Sequence, residues 1–341
     1  MKKTILTVGG GLAGIEASKT LADMGYSVSI IEKENDLGGK VNQWHQLFPD
    51  FRESSDVQDY IKQSTGSKDI MVFPGTEIAS IEKKDNGFYV KSNKAVAFDI
   101  DAILLATGFE IFAAERKEEF GYGIYDNVIT SVDLEQKFRK GGQFYNAGGK
   151  VPKRIAFIHC VGSRDAKTGN HYCSKVCCIT GIKQAIELAK LIPGVEIFCF
   201  YMDLRMYGLE YEELYKTAQE KYGIQFIRGR LSEASENIDN SILIKCEDTL
   251  SGRPLKMNVD LVVLLVGMEA GEGTQNAGTI CNVEFGSQRF ISCRDAHLRR
   301  NLTTRDGIFT AGTCTGPMSI PETLENARSA ALEIHKYLSE K

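Results

Sequence analysis

The sequence predicts an α/β protein made of two similar units, the second inserted into the first. Three observations carry that prediction. A β-branched run, Thr4 to Val8, leads through Gly9-Gly10-Gly11 into a stretch with helical spacing, Ala13 to Met24, and then into a second run, Ser27 to Ile31. Strand, helix and strand in that order open a parallel sheet. At Arg154 the pattern restarts, with Arg154–His159, the amphipathic stretch Ile179–Leu191 and Val195–Tyr201. Each half also closes alike, Asp101–Ala106 running to Gly108 and Asp260–Val266 running to Gly267.

The remaining elements follow in order. Asp85-Asn86-Gly87 is a hairpin turn between Thr76–Lys84 and Phe88–Ser92. Residues Phe109 to Lys150 are glycine-dotted and weakly patterned, and read as a crossover between domains. In the second half Tyr211–Tyr222 is helical, Ile224–Ile227 extended, and Ser241–Cys246 with Leu255–Val259 a meander. The last helix runs from Ile320 toward Leu338, its start marked by Ser319 and Glu322 at capping-box spacing with Pro321 in the first turn. The expected domains are residues 1–150 with 268–341, interrupted by 151–267.

A chain of 341 residues is long enough for about two domains, each with its own core. With 43% hydrophobic and 25% charged residues it is not disordered. A net charge of −4 without a basic block excludes the electrostatic footprint of a nucleic-acid binder. The longest apolar runs, Ile197–Met202 and Leu261–Val266, fall far short of the ~20 residues of a membrane span. Met1-Lys2-Lys3 has the charge of a signal peptide, but the apolar stretch behind it stops at Gly9. A cytoplasmic protein without membrane insertion is expected.

Gly9-x-Gly11-x-x-Gly14 follows a strand and opens a helix, and Glu32 ends the next strand. Glycine permits the tight turn and lets backbone N–H groups approach a pyrophosphate at the positive helix end, while the acid accepts from ribose hydroxyls. The dinucleotide site is therefore expected at Gly9, Gly10, Gly11, Leu12, Ala13, Gly14 and Glu32. In the second unit the matching strand runs into His159-Cys160-Val161-Gly162-Ser163, with no such fingerprint, so no nicotinamide nucleotide is expected there.

That position carries cysteines instead. Four of the nine form the pattern Cys160-x12-Cys173-x3-Cys177-Cys178; Cys199, Cys246, Cys281, Cys293 and Cys314 are scattered. In a reducing compartment, grouped cysteines bind metal or do redox chemistry. Four thiolates suit an iron–sulfur cluster or zinc, adjacent Cys177-Cys178 could form a disulfide, and inert packing is a fourth reading. If the stretch is helical, Cys173 and Cys177 share a face; both Cys177 and Cys178 reach one cluster only through a bent backbone.

Leu37-Gly38-Gly39-Lys40, Ala106-Thr107-Gly108 and Gly307–Gly312 resemble the two-dinucleotide-binding-domain flavoproteins of the thioredoxin-reductase arrangement. The resemblance implies FAD on the N-terminal fingerprint, a degenerate second Rossmann-like domain inserted in the FAD domain, and further FAD contacts at Lys33, Gly38, Gly39, Lys40, Ile78, Ala106, Thr107, Gly108, Gly312, Thr313 and Ile320. The helix from Ile320 would aim its N-terminus at the flavin. Two departures stand out. Thr310-Ala311-Gly312 lacks the spacer of the family's Ala-x-Gly, and Thr313 replaces the usual Asp. His45 and Trp44, after the Gly-Gly-Lys turn, are placed over the flavin ring.

Ala156–Gly162 with Ser163-Arg164-Asp165, Tyr172–Cys178, Lys183-Gln184-Ala185, Phe200–Asp203, Phe226–Arg230 and Gly316-Pro317 resemble the A subunits of heterodisulfide reductase, over nearly the whole chain. The resemblance implies a [4Fe–4S] cluster beside FAD, ligated by Cys160, Cys173, Cys177 and Cys178, with His159 and His171 outside the ligand set. It also implies an electron-transfer component that forms a homodimer and works with B- and C-like heterodisulfide reductase subunits. No C-x2-C-x2-C run is present, and the chain begins at the first strand and ends after the last helix. It thus looks like the short form in the heterodisulfide-reductase-like complexes of sulfur-oxidising prokaryotes; a related short form serves the quinone-interacting oxidoreductase of sulfate reducers. Bifurcating and stepwise flavin chemistry both stay open. Lys183 reads either as a charge near cluster or flavin or as a solvated helix lysine, and Cys314 as a packing residue rather than a redox thiol. Rival readings are a stand-alone NADH-dependent disulfide reductase and a zinc or flavin scaffold.

Overall fold

A computed structural model describes residues 2–341, which fall into two compact units. The first, residues 2–42, 55–110 and 269–341, is built on a five-stranded parallel sheet in the order Ile308–Thr310, Ala102–Leu105, Thr4–Val8, Ser27–Ile31, Ile70–Phe73. Side chains alternate across it. Ile5, Ala102, Leu104 and Phe309 share a core with the helices Leu12–Asp23 and Ile320–Ser339. Leu6, Val8, Ile103, Leu105 and Ile308 pack instead with an antiparallel meander, Ile78–Lys84, Gly87–Ser92 and Ala97–Ile100. Covering both faces makes the central strands apolar throughout, which is why they are visible in the sequence. Val8 lies level with Ile31 and Leu105, so three strands end together beneath Gly9, Glu32 and Ala106.

The second unit, residues 43–54 and 111–268, repeats the plan. Its parallel sheet has the order Gln225–Arg228, Glu196–Tyr201, Arg154–Val161, Leu261–Val266, Val128–Thr130. Ile155, Phe157, Ile197, Cys199, Val263 and Leu265 pack with the helices Ser131–Lys140, Cys177–Leu191 and Tyr211–Glu220. Ala156, Ile158, Phe198, Phe200, Val262 and Leu264 pack with the meander Leu231–Glu236, Ile242–Asp248 and Arg253–Val259. Residues 111–150, expected to belong with the first unit, supply this sheet's edge strand Val128–Thr130 and the helix behind it. No helix among the described residues is long and apolar enough to cross a membrane.

Candidate functional site

In the first unit the glycine turn is built for close approach. Gly9 has φ +111, and a Cβ there would meet the Ala106 carbonyl oxygen at 2.3 Å; one on Gly14 would meet the Gly9 oxygen at 2.0 Å. Gly11 differs, because a Cβ there would meet nothing within 4 Å. It is the N-cap of a 12-residue helix with no side-chain cap and no acid in its first turn. The positive end of that helix, with Leu12 and Ala13 in its first turn, is left open for an anion. The Gly38 N–H donates to the Gly10 carbonyl at 2.8 Å, and Gly39 adjoins Gly11, so the Gly-Gly-Lys turn borders the opening.

Glu32 is buried, and its two oxygens accept from the N–H groups of Gly10 (2.6 Å) and Glu34 (2.9 Å). It braces the turn as well as offering lone pairs to a ribose. The Thr76 N–H donates to the Glu32 carbonyl at 2.7 Å, so the strand led by the buried Ile78 starts beside it. The Ala106 N–H donates to Val8, and the Thr107 and Thr274 hydroxyls lie 2.7 Å apart. At the late segment a Cβ on Gly312 would meet that of Ala13 at 2.6 Å, and one on Gly108 would lie 4.0 Å from the Thr313 hydroxyl. Gly312 and Thr313 thus join the fingerprint helix and the Ala-Thr-Gly turn at one edge of the sheet. Lys33 is exposed, 3.8 Å from Glu34, and Lys40 lies in the short helix Gly39–Gln43.

Ile320 begins its helix as expected. Ser319 caps it in a capping box, its N–H donating to the Glu322 carboxylate at 2.9 Å. That carboxylate offsets part of the positive end the helix would offer a flavin. The residues present fit a dinucleotide of the FAD type: open glycine cradle, helix terminus, terminal acid.

In the second unit the strand Arg154–Val161 slips register after Ile158, and Cys160 there has φ +61. Where a second fingerprint would lie, a Cβ on Gly162 would strike the Phe112 ring at 2.0 Å. Beyond it the loop to Cys177 is pinned. Asp165 is buried between Lys117 and Arg230, 2.8 Å from each. Burial pushes Asp165 up, but the two cations hold it below the usual carboxylate range. Asn170 donates to the Gly162 carbonyl at 2.9 Å, and Tyr172 to the Met268 carbonyl at 2.7 Å.

This framework brings three of the four cysteines together. Cys177 lies against both Cys160 and Cys178. These neighbours and burial raise the Cys177 thiol, while its proximity lowers Cys160 to about 7 and Cys178 to about 4. Both neighbours are lowered against burial, with help from His159 beside them. The helix begins at Cys177, two residues earlier than the spacing suggests, so Cys177 and Cys178 occupy its first turn. Cys173 is not on that helix: it lies in the loop, accepting from the Lys175 N–H at 3.3 Å. The buried His159 ring nitrogens, Ser163 Oγ and Arg164 Nη1 have no hydrogen-bond partner.

No group of three or more His, Cys, Asp and Glu among the described residues is set to hold a single metal ion. The donor set, three converging thiols and a fourth in the adjoining loop among unpartnered polar atoms, suits a larger thiolate-ligated group. Burial pushes the bystanders the other way, Cys246 up to about 11, Cys281 and Cys314 to about 12, and Cys199 well above its ordinary value. Cys314 donates to the Leu105 and Ala311 carbonyls, as a packing thiol does.

Lys183 is not solvated. It is 1% exposed, 2.6 Å from Glu135 and 2.8 Å from Glu187. Gln184 donates to Glu135 as well. His45 belongs to the same network, its N–H donating to Glu135 and its Nδ1 lying 3.0 Å from Glu187. Trp44 contributes its carbonyl to Ser54 at 2.6 Å. This network escaped the sequence reading; a lysine inside an apolar helix, Ile179 to Leu191, was its one trace.

Residues 3–158 match the pyridine nucleotide-disulphide oxidoreductase family. The iron-sulfur A subunit of the CoB–CoM heterodisulfide reductase of Methanocaldococcus jannaschii is 31% identical over 415 aligned positions, covering 96% of this chain and 63% of the relative. The A subunit of the H(2)/formate:CoB-CoM heterodisulfide,ferredoxin reductase of Methanococcus maripaludis is 31% identical with the same coverage. The chain thus spans less than two thirds of the length of these relatives. The thioredoxin reductases of T. acidophilum (TM-score 0.67, 18% identity, 99% of both chains) and Lactococcus lactis (TM-score 0.69, 17%, 100% of both) share its fold. The match of family and fold supports FAD in the glycine cradle. Over 96% of its length, then, the chain is similar to the A subunits of heterodisulfide reductase, its residues 3–158 match the pyridine nucleotide-disulphide oxidoreductase family, and it has the thioredoxin-reductase fold.

Proposed function

We propose that this chain is an FAD- and [4Fe–4S]-holding electron-transfer component of a heterodisulfide-reductase-like complex. One observation carries the reading: an open glycine cradle in the first unit and, where a second nucleotide turn would lie, a pinned loop with three converging thiols. When bound, FAD exchanges electron pairs and the cluster single electrons. The chain's own part is placement. Backbone N–H groups at Gly11 to Gly14 would take the pyrophosphate, Glu32 a ribose hydroxyl, and Cys160, Cys173, Cys177 and Cys178 the cluster. The M. jannaschii relative, an iron-sulfur subunit by name, supports the cluster. The relatives, each one lettered component of a complex, support B- and C-like partners. A sulfur-oxidation complex, with the chain cytoplasmic and homodimeric, is the setting that the sequence resemblance supports. A flavin-bifurcating component is the second reading, favoured by the two acceptors, heterodisulfide and ferredoxin, in the name of the M. maripaludis relative.

Anaerobic purification tests the proposal. About four iron and four sulfide per chain, with one FAD, are expected. One zinc per chain without iron or sulfide refutes the cluster.

A further inference from the structure

Four residues past Cys160 the thiol loop carries an arginine with an unused donor. Arg164 has a left-handed backbone, φ +52, a conformation that a long side chain holds only where its surroundings impose it. Here they do. Its N–H donates to the Tyr172 carbonyl at 2.9 Å, and the next N–H, of Asp165, donates to the Asn170 carbonyl at 2.8 Å. The loop thus folds back on itself and sets Arg164 opposite Tyr172, the residue before Cys173. One arm of the guanidinium is fixed as well. Its Nη2 donates to the Asp203 carboxylate at 2.6 Å, and the carbonyl oxygen of the same Asp203 lies 3.9 Å from the Cys178 sulfur.

The other arm is not spoken for. Arg164 Nη1 is buried and has no hydrogen-bond partner. A buried donor without an acceptor is costly and rare, so its presence calls for an acceptor. The charge behind it already acts on the thiols. Burial works against the ionised guanidinium, yet Asp203 and the negative charges of Cys160 and Cys173 hold it above its ordinary value. Behind Cys177 and His159, it also helps to lower Cys160. Arg228, the second cation on Asp203, is a different case: it stands 3.6 Å away and is 46% exposed, against 19% for Arg164, so water screens it.

We propose that Arg164 sets the reduction potential of the group the thiols hold, giving it the Nη1 hydrogen bond and a fixed positive charge, with Asp203 as the residue that positions the guanidinium. The inference rests on the cluster reading above. Reduction adds one electron, and so one negative charge, to a cluster. Arg164 stays ionised throughout and stabilises that charge, with no proton moved and no bond made or broken. Hydrogen bonds to the sulfurs and nearby charge are two of the levers a protein has on such a potential, and Arg164 supplies both. A planar fork suits the task, because one arm is held by Asp203 while the other stays free to donate. A lysine held by Asp203 would bring the charge without that second fixed donor.

The test titrates the full chain, purified anaerobically with its iron, with dithionite, and reads the reduced cluster by electron paramagnetic resonance. At the parent's midpoint potential, Arg164→Gln should lower the ratio of reduced to oxidised cluster at least tenfold, a fall of about 59 mV for a one-electron couple. Arg164→Lys, which keeps the charge, should recover most of that ratio. Asp203→Asn keeps an acceptor for Nη2 but removes the negative charge, and should raise the ratio severalfold. Shifts of opposite sign separate tuning from mere bracing, in which both variants would lose iron or shift alike. An Arg164→Gln protein with the parent's iron and a ratio within twofold of the parent's overturns the proposal, as does a fall in Asp203→Asn. If Arg164→Gln loses its iron, Asp203→Asn decides: a raised ratio upholds the proposal, and an unmoved ratio or lost iron overturns it. Iron content separates the two readings. A parent without iron removes the cluster and this inference together, whereas an iron-loaded parent whose variants titrate like it removes the inference alone.

Discussion

Replacement of Lys183 by methionine takes a buried ammonium away from two buried carboxylates, Glu135 at 2.6 Å and Glu187 at 2.8 Å. Removing one partner of a buried pair costs about 3–5 kcal/mol, because the other charge stays buried. Methionine fills much of the volume, and the His45 and Gln184 N–H groups still serve Glu135, so the lower end, about 3 kcal/mol, is expected at pH 7. In urea that is a midpoint shift of about 1–1.5 M. The loss should depend on pH in a stated direction. Burial already raises Glu187, and Lys183 is the largest force opposing it. Without the lysine the folded-state value climbs further above the unfolded one. The variant's stability is then fully present at low pH and is lost as pH rises through the folded value, so the deficit is small near pH 5 and largest near pH 8. Adding Glu187→Gln should restore part of it. A midpoint shift below about 0.3 M, or one independent of pH, would refute the reasoning.

Other predictions follow from the same geometry. Gly11→Ala meets no atom within 4 Å, so the fold should survive while FAD affinity drops at least about tenfold by equilibrium dialysis; Gly14→Ala, striking the Gly9 oxygen, should lower the melting temperature as well. Cys178→Ser should remove most of the iron measured per chain, whereas Cys314→Ala, at a packing thiol, should leave iron unchanged. Asp165→Asn leaves Lys117 buried with Glu119 alone and should cost about 2–3 kcal/mol in urea unfolding; no change would show the pinning to be incidental.

What was legible in the sequence was whatever repeats locally. Thr4–Val8 and Ser27–Ile31 stand where expected because strands covered on both faces read as apolar runs. The terminal helix starts at Ile320 because Ser319 and Glu322 encode its cap in four residues. The strand Val128–Thr130 is too short for any period to register, yet the Thr130-x-x-Asp133 cap behind it was a readable signal for the helix Ser131–Lys140. The Lys183 network was not readable: its carboxylate partner Glu135 lies 48 residues upstream, on a helix within the stretch that reads as crossover. The four-cysteine pattern was visible, but only the fold shows three thiols converging and Cys173 standing off in the loop.

The pinned loop bears on the order of events in maturation. Small metal-bound domains usually fold only when the metal arrives, because nothing else holds the ligands. Here Lys117, Arg230, Asn170 and Tyr172 anchor the segment between Cys160 and Cys177 with charges and hydrogen bonds that owe nothing to iron. On the cluster reading proposed above, the chain should reach its fold first and receive the cluster afterwards, into a loop already shaped. Chelation would then remove the iron and leave the chain folded, with its flavin colour retained.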